Sequence, residues 1–176
     1  MMVERNERMP NGPPGPELLA WVLDRHAAAL ELFARQWCDC PEDVVQEALI
    51  ELARRSETPD DVLCWLYRVV RNRAVSAARS HRRRSRRELA VSSSTPWFVA
   101  SADDLLDARS AAEELAALPE VQREVVVARL WGGLTFAEIG RLIGTNDSTA
   151  HRRYQAALTE LRKRMKLPCP TKTPNR

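Results

Sequence analysis

The sequence lacks any long apolar run. Its longest, Leu18 to Leu23, is six residues and ends at Asp24, far short of the ~20 that a membrane-spanning helix needs. The opening MMVERNERMP has no apolar h-region, so a secretory signal is not expected and the cytoplasm is the expected compartment. Cysteine and histidine are scarce. Cys38 and Cys40 form a C-x-C, which is not the C-x2-C half of a zinc site, and Cys64, Cys169, His26, His81 and His151 are scattered. They complete no ligand set, so no metal or cofactor is expected and the cysteines are read as reduced. The catalytic signatures G-x-x-x-x-G-K-[ST], H-E-x-x-H and G-x-S-x-G are missing. Asp103-Asp104 and Glu113-Glu114 are sequence neighbours, which point apart on a helix, so the chain is not expected to be an enzyme. Lysine is almost absent: only 3 of the 27 basic residues are Lys and 24 are Arg. Arginine is the side chain suited to phosphate and to base edges.

What is present is charge in blocks. The net charge is +3, but it conceals strong segregation. Asp39 to Asp61 holds eight acids against two Arg, and Arg68 to Arg87 holds nine Arg and no acid. Ala100 to Glu124 is again acidic, with seven acids and two Arg, and Ser148 to Lys166 has six bases and one acid. Two strongly basic segments in a nearly neutral chain are the electrostatic footprint of phosphate binding.

The periodicity is helical throughout, so the expected fold class is all-α, with two small helical domains joined by a flexible linker. The expected divisions are a disordered Pro- and Gly-rich lead over 1–16, a helical domain over 17–88, a linker over 89–110, a second helical domain over 111–167 and a tail over 168–176. Leu19, Val22, His26, Leu30, Phe33 and Trp37 mark one apolar face. Pro41, with Glu42 and Asp43 after it, restarts a helix that buries Val45, Ala48, Leu49 and Leu52. Thr58-Pro59-Asp60-Asp61 predicts a third start, with Thr58 as the cap and Pro59 at the first helical position. The long helix that follows buries Val62, Leu66, Val69, Val70, Ala74 and Ala77. At ~100° per residue its other side carries Arg68, Arg71, Arg79, Arg82 and Arg86, with Asn72 on the flank. Arg73 projects nearer the buried side and reads as structural. Trp97 and Phe98 stand out in the linker as aromatics able to pack or dock.

In the second domain Pro119 suits a first helical position, and Val121, Val125, Ala128 and Leu130 give the stripe of a helix that Trp131-Gly132-Gly133 ends. Thr135 with Glu138 is a capping box. Gly144 suits the following turn, where positive φ is cheap for glycine, and Asn146 or Asp147 caps the last helix. Thr135 to Arg153 thus reads as a helix-turn-helix, with Gly140 where the helices touch and Ala150 buried. In that geometry the N-terminal end of the second helix enters the major groove. This places Ser148, Thr149, His151, Arg152 and Gln155 near bases, and Arg153 near phosphate.

Two blocks together resemble one family. CPEDVVQEALIEL (Cys40 to Leu52) followed by WLYRVVRNRAVSAARSHRRR (Trp65 to Arg84) resembles region 2 of bacterial sigma factors. LPEVQREVVVARLWGGLTFAEIGRLIGTNDSTAHRRYQAALTELRKRM (Leu118 to Met165) resembles their region 4. The absence of a region 3 between them resembles the extracytoplasmic-function (ECF) group of the sigma-70 family. The resemblance implies a transcription initiation factor that binds core RNA polymerase, directs it to promoters and helps open the duplex. It implies that Asp43, Gln46, Glu47 and Glu51 face the β′ clamp helices, and that Val126, Val127 and Leu130 meet the β flap. Arg68, Arg71, Asn72, Ser76, Arg79, Arg82 and Arg83 would meet the -10 element. Ser148, Thr149, His151, Arg152, Arg153 and Gln155 would meet the -35 element. An anti-sigma factor is a further partner that the family implies. Trp65 and Tyr67 are read as core and helix-face residues. Gly140 stands where the family usually has Ala, and Ala150 where it has Val or Ile, so a modestly stable second domain is expected. The competing reading is a stand-alone helix-turn-helix regulator, which would normally dimerise on a palindrome.

Overall fold

A computed structural model describes residues 12–85 and 113–165. The lead before residue 12, the linker with Trp97 and Phe98, and the tail with Cys169 lie outside the described residues. Those residues form two compact units, and among them there are helices and no strand. No described helix is long and apolar enough to cross a membrane.

The first unit is three mutually packed helices, α1 (Pro16–Ala34), α2 (Pro41–Ala53) and α3 (Val62–Ser85). Prolines start α1 and α2, where the missing N–H has no partner to lose. Glu42 and Asp43 sit in the first turn of α2, at the positive end of its dipole. The core is Val22, Leu30, Phe33, Val45, Ala48, Leu52, Leu66, Tyr67, Val70 and Ala74. Phe33 lies edge-on to Trp37 and to Tyr67, with ring centroids 5.1 and 4.9 Å apart. Leu49 is only half-buried, while Val44 is buried.

Two expectations about chain starts are corrected here. Thr58 does not cap α3. Its N–H and its hydroxyl both donate to the Gly12 carbonyl, at 2.7 and 2.8 Å. The cap is Asp61, whose Oδ1 accepts the Cys64 N–H at 2.9 Å. The same contact fixes Gly12, and Pro16 is already helical, so the lead does not extend unstructured to residue 16.

The second unit holds a helical turn at 113–116 and then α4 (Glu120–Leu130), α5 (Phe136–Ile143) and α6 (Asp147–Arg164). Pro119 is the residue before α4 rather than its first. Gly133 and Gly144 have φ of 62° and 70°, and each makes a left-handed exit that a Cβ would strain. The stripe expected on α4 is only partly inward. Glu124 to Ala128 are buried without interruption, whereas Val121 and Leu130 are exposed.

The capping box on α5 is complete. Thr135 Oγ1 accepts the Glu138 N–H, and Glu138 Oε2 accepts the Thr135 N–H. Thr135→Ala is therefore expected to destabilise the second unit by about 1 kcal/mol, read as a lower urea midpoint. A midpoint equal to wild type would show that the box contributes nothing.

Candidate nucleic-acid interface

α3 divides by charge because its period does. Leu63, Leu66, Tyr67, Val70 and Ala74 are buried on one side. Arg68, Asn72, Ser76, Arg79, Arg82 and Arg83 are exposed on the other. With Arg71 they span about 140° of the helix circumference, and no acid falls among them. Arg71 is half-buried at the edge of this arc, 5.8 Å over the Trp37 ring. Arg83 donates to Ser80 Oγ at 3.3 Å. Tyr67 is fully buried and Trp65 half-buried beneath Arg55, at 5.2 Å, so Tyr67 belongs to the core.

α2 shows the opposite sign. Asp43, Gln46 and Glu47 are exposed and Glu51 is half-buried, while Val44, Val45, Ala48 and Leu52 point inward. Glu47 and Glu51 are not isolated carboxylates. Arg73 leaves the α3 arc and forks between them, at 2.5 Å to Glu47 and 2.6 Å to Glu51. The Glu51 hydrogen bond leads the effects that hold its guanidinium pKa above the ordinary value. The sequence marks Arg73 as inward-leaning but not its partners; acids at i and i+4 on the preceding helix are the signal that points to them.

The helix-turn-helix is built from α5, the Gly144 turn and α6. Asn146 caps α6 through the Thr149 N–H at 2.8 Å. Ala150 and Ala157 face inward, and Ser148, His151, Arg152 and Gln155 stand exposed on the far side. Thr149 and Arg153 are half-buried at its margins. Phe136 joins the two helices: His151 and Tyr154 pack on its ring at 4.8 and 5.5 Å, and Arg129 covers it at 5.0 Å. Gln155 Nε2 lies 3.3 Å from His151 Nε2. The N-terminal half of α6 thus offers a hydroxyl, an imidazole, a guanidinium and a carboxamide on one strip.

Gly140 leaves no void. A Cβ there would lie 2.8 Å from the Thr145 carbonyl oxygen, and the Thr145 N–H donates to the Gly140 carbonyl at 2.8 Å. The turn backbone fills the space, which removes the packing deficit expected at this position. Ala150 is likewise fully covered.

Two residues expected on the surface of α4 lie inside. Val126 and Val127 are 1% and 0% exposed and belong to the core of the second unit. A run of three valines has no polar side to turn outward. Val121 at the start of α4, Leu130 at its end and Trp131 just after it, at 40%, 54% and 42% exposed, are the large apolar side chains presented here. The sequence carries no signal that Trp131 is a surface residue, because the Gly-Gly after it marks only a helix end.

Among the described residues no cluster of His, Cys, Asp or Glu is arranged to hold a metal ion. Cys38 is buried, and burial is the first cause that pushes its thiol from an ordinary 9 to about 11. Cys40 is exposed. Alkylation by iodoacetamide near pH 8 is expected to label Cys40 and to spare Cys38 until the chain is unfolded, as read by peptide mass. Equal labelling of both in the folded chain would contradict the burial. Because the folded thiol titrates above the unfolded one, this group's stabilisation is complete below pH 9 and is lost as pH rises through about 11.

The sigma-70 region 2 family model matches residues 22–84, and the sigma-70 region 4 model matches residues 108–161. The chain is 30% identical over 130 residues to the ECF RNA polymerase sigma factor SigK of Mycobacterium ulcerans (strain Agy99), covering 69% of this chain and 70% of that one. It is 30% identical over 131 residues to SigK of Mycolicibacterium vanbaalenii, covering 69% and 67%. Its fold is similar to that of the sigma factor RpoE from Bartonella quintana, solved in complex with the anti-sigma factor NepR. The TM-score is 0.73 at 21% identity, covering 88% of this chain and all of that one.

Proposed function

Since this chain belongs to the ECF group of the sigma-70 family and is a sigma factor for transcription initiation, we propose that its two units read the two halves of a promoter for core RNA polymerase. The exposed arc of α3 meets the -10 element and supports its opening. The outer strip of α6 meets the -35 element. The acidic outer face of α2, with Asp43, Gln46, Glu47 and Glu51, docks on the basic β′ clamp helices. Leu130, with Trp131 beside it, meets the β flap. The acid-free arc of α3 is the observation that carries this reading, because a solvated helix face has no need to exclude carboxylates. An anti-sigma factor is a further partner in this reading, as NepR is for the Bartonella protein.

The division of labour on α6 follows from side-chain chemistry. Arg152 is exposed and can fork onto guanine, and Gln155 can pair with adenine. Arg153 is half-buried at the margin of this strip and suits phosphate. In transcription reconstituted from purified core polymerase, Arg152→Ala is expected to weaken promoter use by about 1–3 kcal/mol at one base position of the -35 element and little elsewhere. Equal losses across all -35 variants would make Arg152 a phosphate contact and overturn its assignment as a base reader.

A further inference from the structure

Arg73 differs from its neighbours on α3 in what it touches. Its two terminal nitrogens reach across to α2, Nη1 to Glu47 Oε2 and Nη2 to Glu51 Oε2. Glu47 and Glu51 are one helical turn apart, where two carboxylates without a cation would repel and splay. Each gives only one oxygen to Arg73, and their side chains remain 61% and 44% exposed. The guanidinium is planar and forked, so it fixes both carboxylates at one spacing. The Arg73 cation also offsets part of their pull on a basic partner, but at an exposed site that effect is screened. Long side chains lose rotamer freedom when they dock, and here that ordering has occurred on folding.

We propose that Arg73 is a positioning residue for polymerase docking, holding Glu47 and Glu51 side by side so that their remaining oxygens meet cationic side chains of the partner together. The proposal rests on the reading of α2 as the docking face. It gives a role to the one inward-leaning arginine between Arg68 and Arg79, which stands outside the DNA-binding set of α3.

The test is a double-mutant cycle on the full chain, with affinity for core RNA polymerase as the readout and thermal melting alongside. Arg73→Met is expected to weaken core binding about 10-fold through lost preorganisation. Glu47→Gln with Glu51→Gln is expected to weaken it at least as much, and adding Arg73→Met to that pair should change nothing further. Should Arg73→Met melt below the assay temperature, Arg73→Lys decides. A point charge cannot fork, so a loss of about 3-fold that vanishes in the Gln pair background is expected. Core binding that is unchanged or tighter in the Arg73 variants, or losses that add in full, would overturn the proposal. If the Gln pair binds core fully while Asp43→Ala with Gln46→Ala does not, the positioning role alone falls. If both bind fully, the docking assignment of α2 falls with it.

Discussion

Phe33→Ala is expected to destabilise the first unit by about 3–5 kcal/mol. Phe33 is fully buried where α1 meets α3, and its ring is held edge-on by Trp37 and Tyr67. Truncation removes the largest apolar contact of α1 and leaves a space that two rigid rings cannot close. It also deletes two aromatic pairs, each worth about 0.5–1.5 kcal/mol beyond burial. Small domains are stable by only about 5–15 kcal/mol, so a large part of the margin of this unit would go. Hydrogen exchange on the full chain reads the effect by unit: protection should fall across α1 to α3 and stay unchanged in α4 to α6. A shift below about 1 kcal/mol would show that the ring cluster is not the core.

Gly140→Val is expected to cost the second unit about 3 kcal/mol, near the upper end for overpacking. Two effects compete at this position. Any side chain gains over glycine in helix propensity, by at most about 1 kcal/mol for Ala and less for Val. Against that, the first added carbon already lies 2.8 Å from a backbone oxygen, which cannot swing aside as a side chain would. For Ala the two effects partly cancel, and a net loss of about 1 kcal/mol remains. For Val the branch adds two more methyl groups to the same gap. The α5–α6 turn must then open, and the outer strip of α6 loses its angle to α5. Urea unfolding should order the variants glycine, alanine, valine from most to least stable. A stabilised Gly140→Ala would mean that the turn yields easily and that the close contact is not a constraint.

The helices were legible because apolar spacing, proline starts and the Thr135–Glu138 box are local signals, each decided within one turn of chain. Gly144 and Asn146 were legible for the same reason. What escaped depends on which neighbour a side chain meets. Thr58 has the chemistry of a cap, but the Gly12 carbonyl claims it and Asp61 takes the role. Valines 125 to 127 carry no period that separates inner from outer, so only packing shows that all three are enclosed. Arg73 was read as inward-leaning from its angle, yet its two carboxylates lie 26 and 22 residues away in sequence. At Gly140 side-chain volume alone misleads, because the turn backbone fills the space. In the candidate interface, helical period marks Arg68, Arg71, Asn72, Arg79 and Arg82 on α3 and the helix-turn-helix motif marks the strip of α6, whereas the occupied state of the α2 acids has no local signal.

The most direct measurement of the central claim is co-elution of the full chain with core RNA polymerase from the same source, against the Asp43→Ala, Gln46→Ala, Glu47→Ala triple variant. All three side chains are exposed on α2, so the variant is expected to keep its helical fold, checked by circular dichroism. The expected result is a stable complex for the wild-type chain and its loss in the folded variant. A folded wild-type chain that does not co-elute, or a variant that co-elutes equally well, would contradict the account of α2 as the polymerase-docking face.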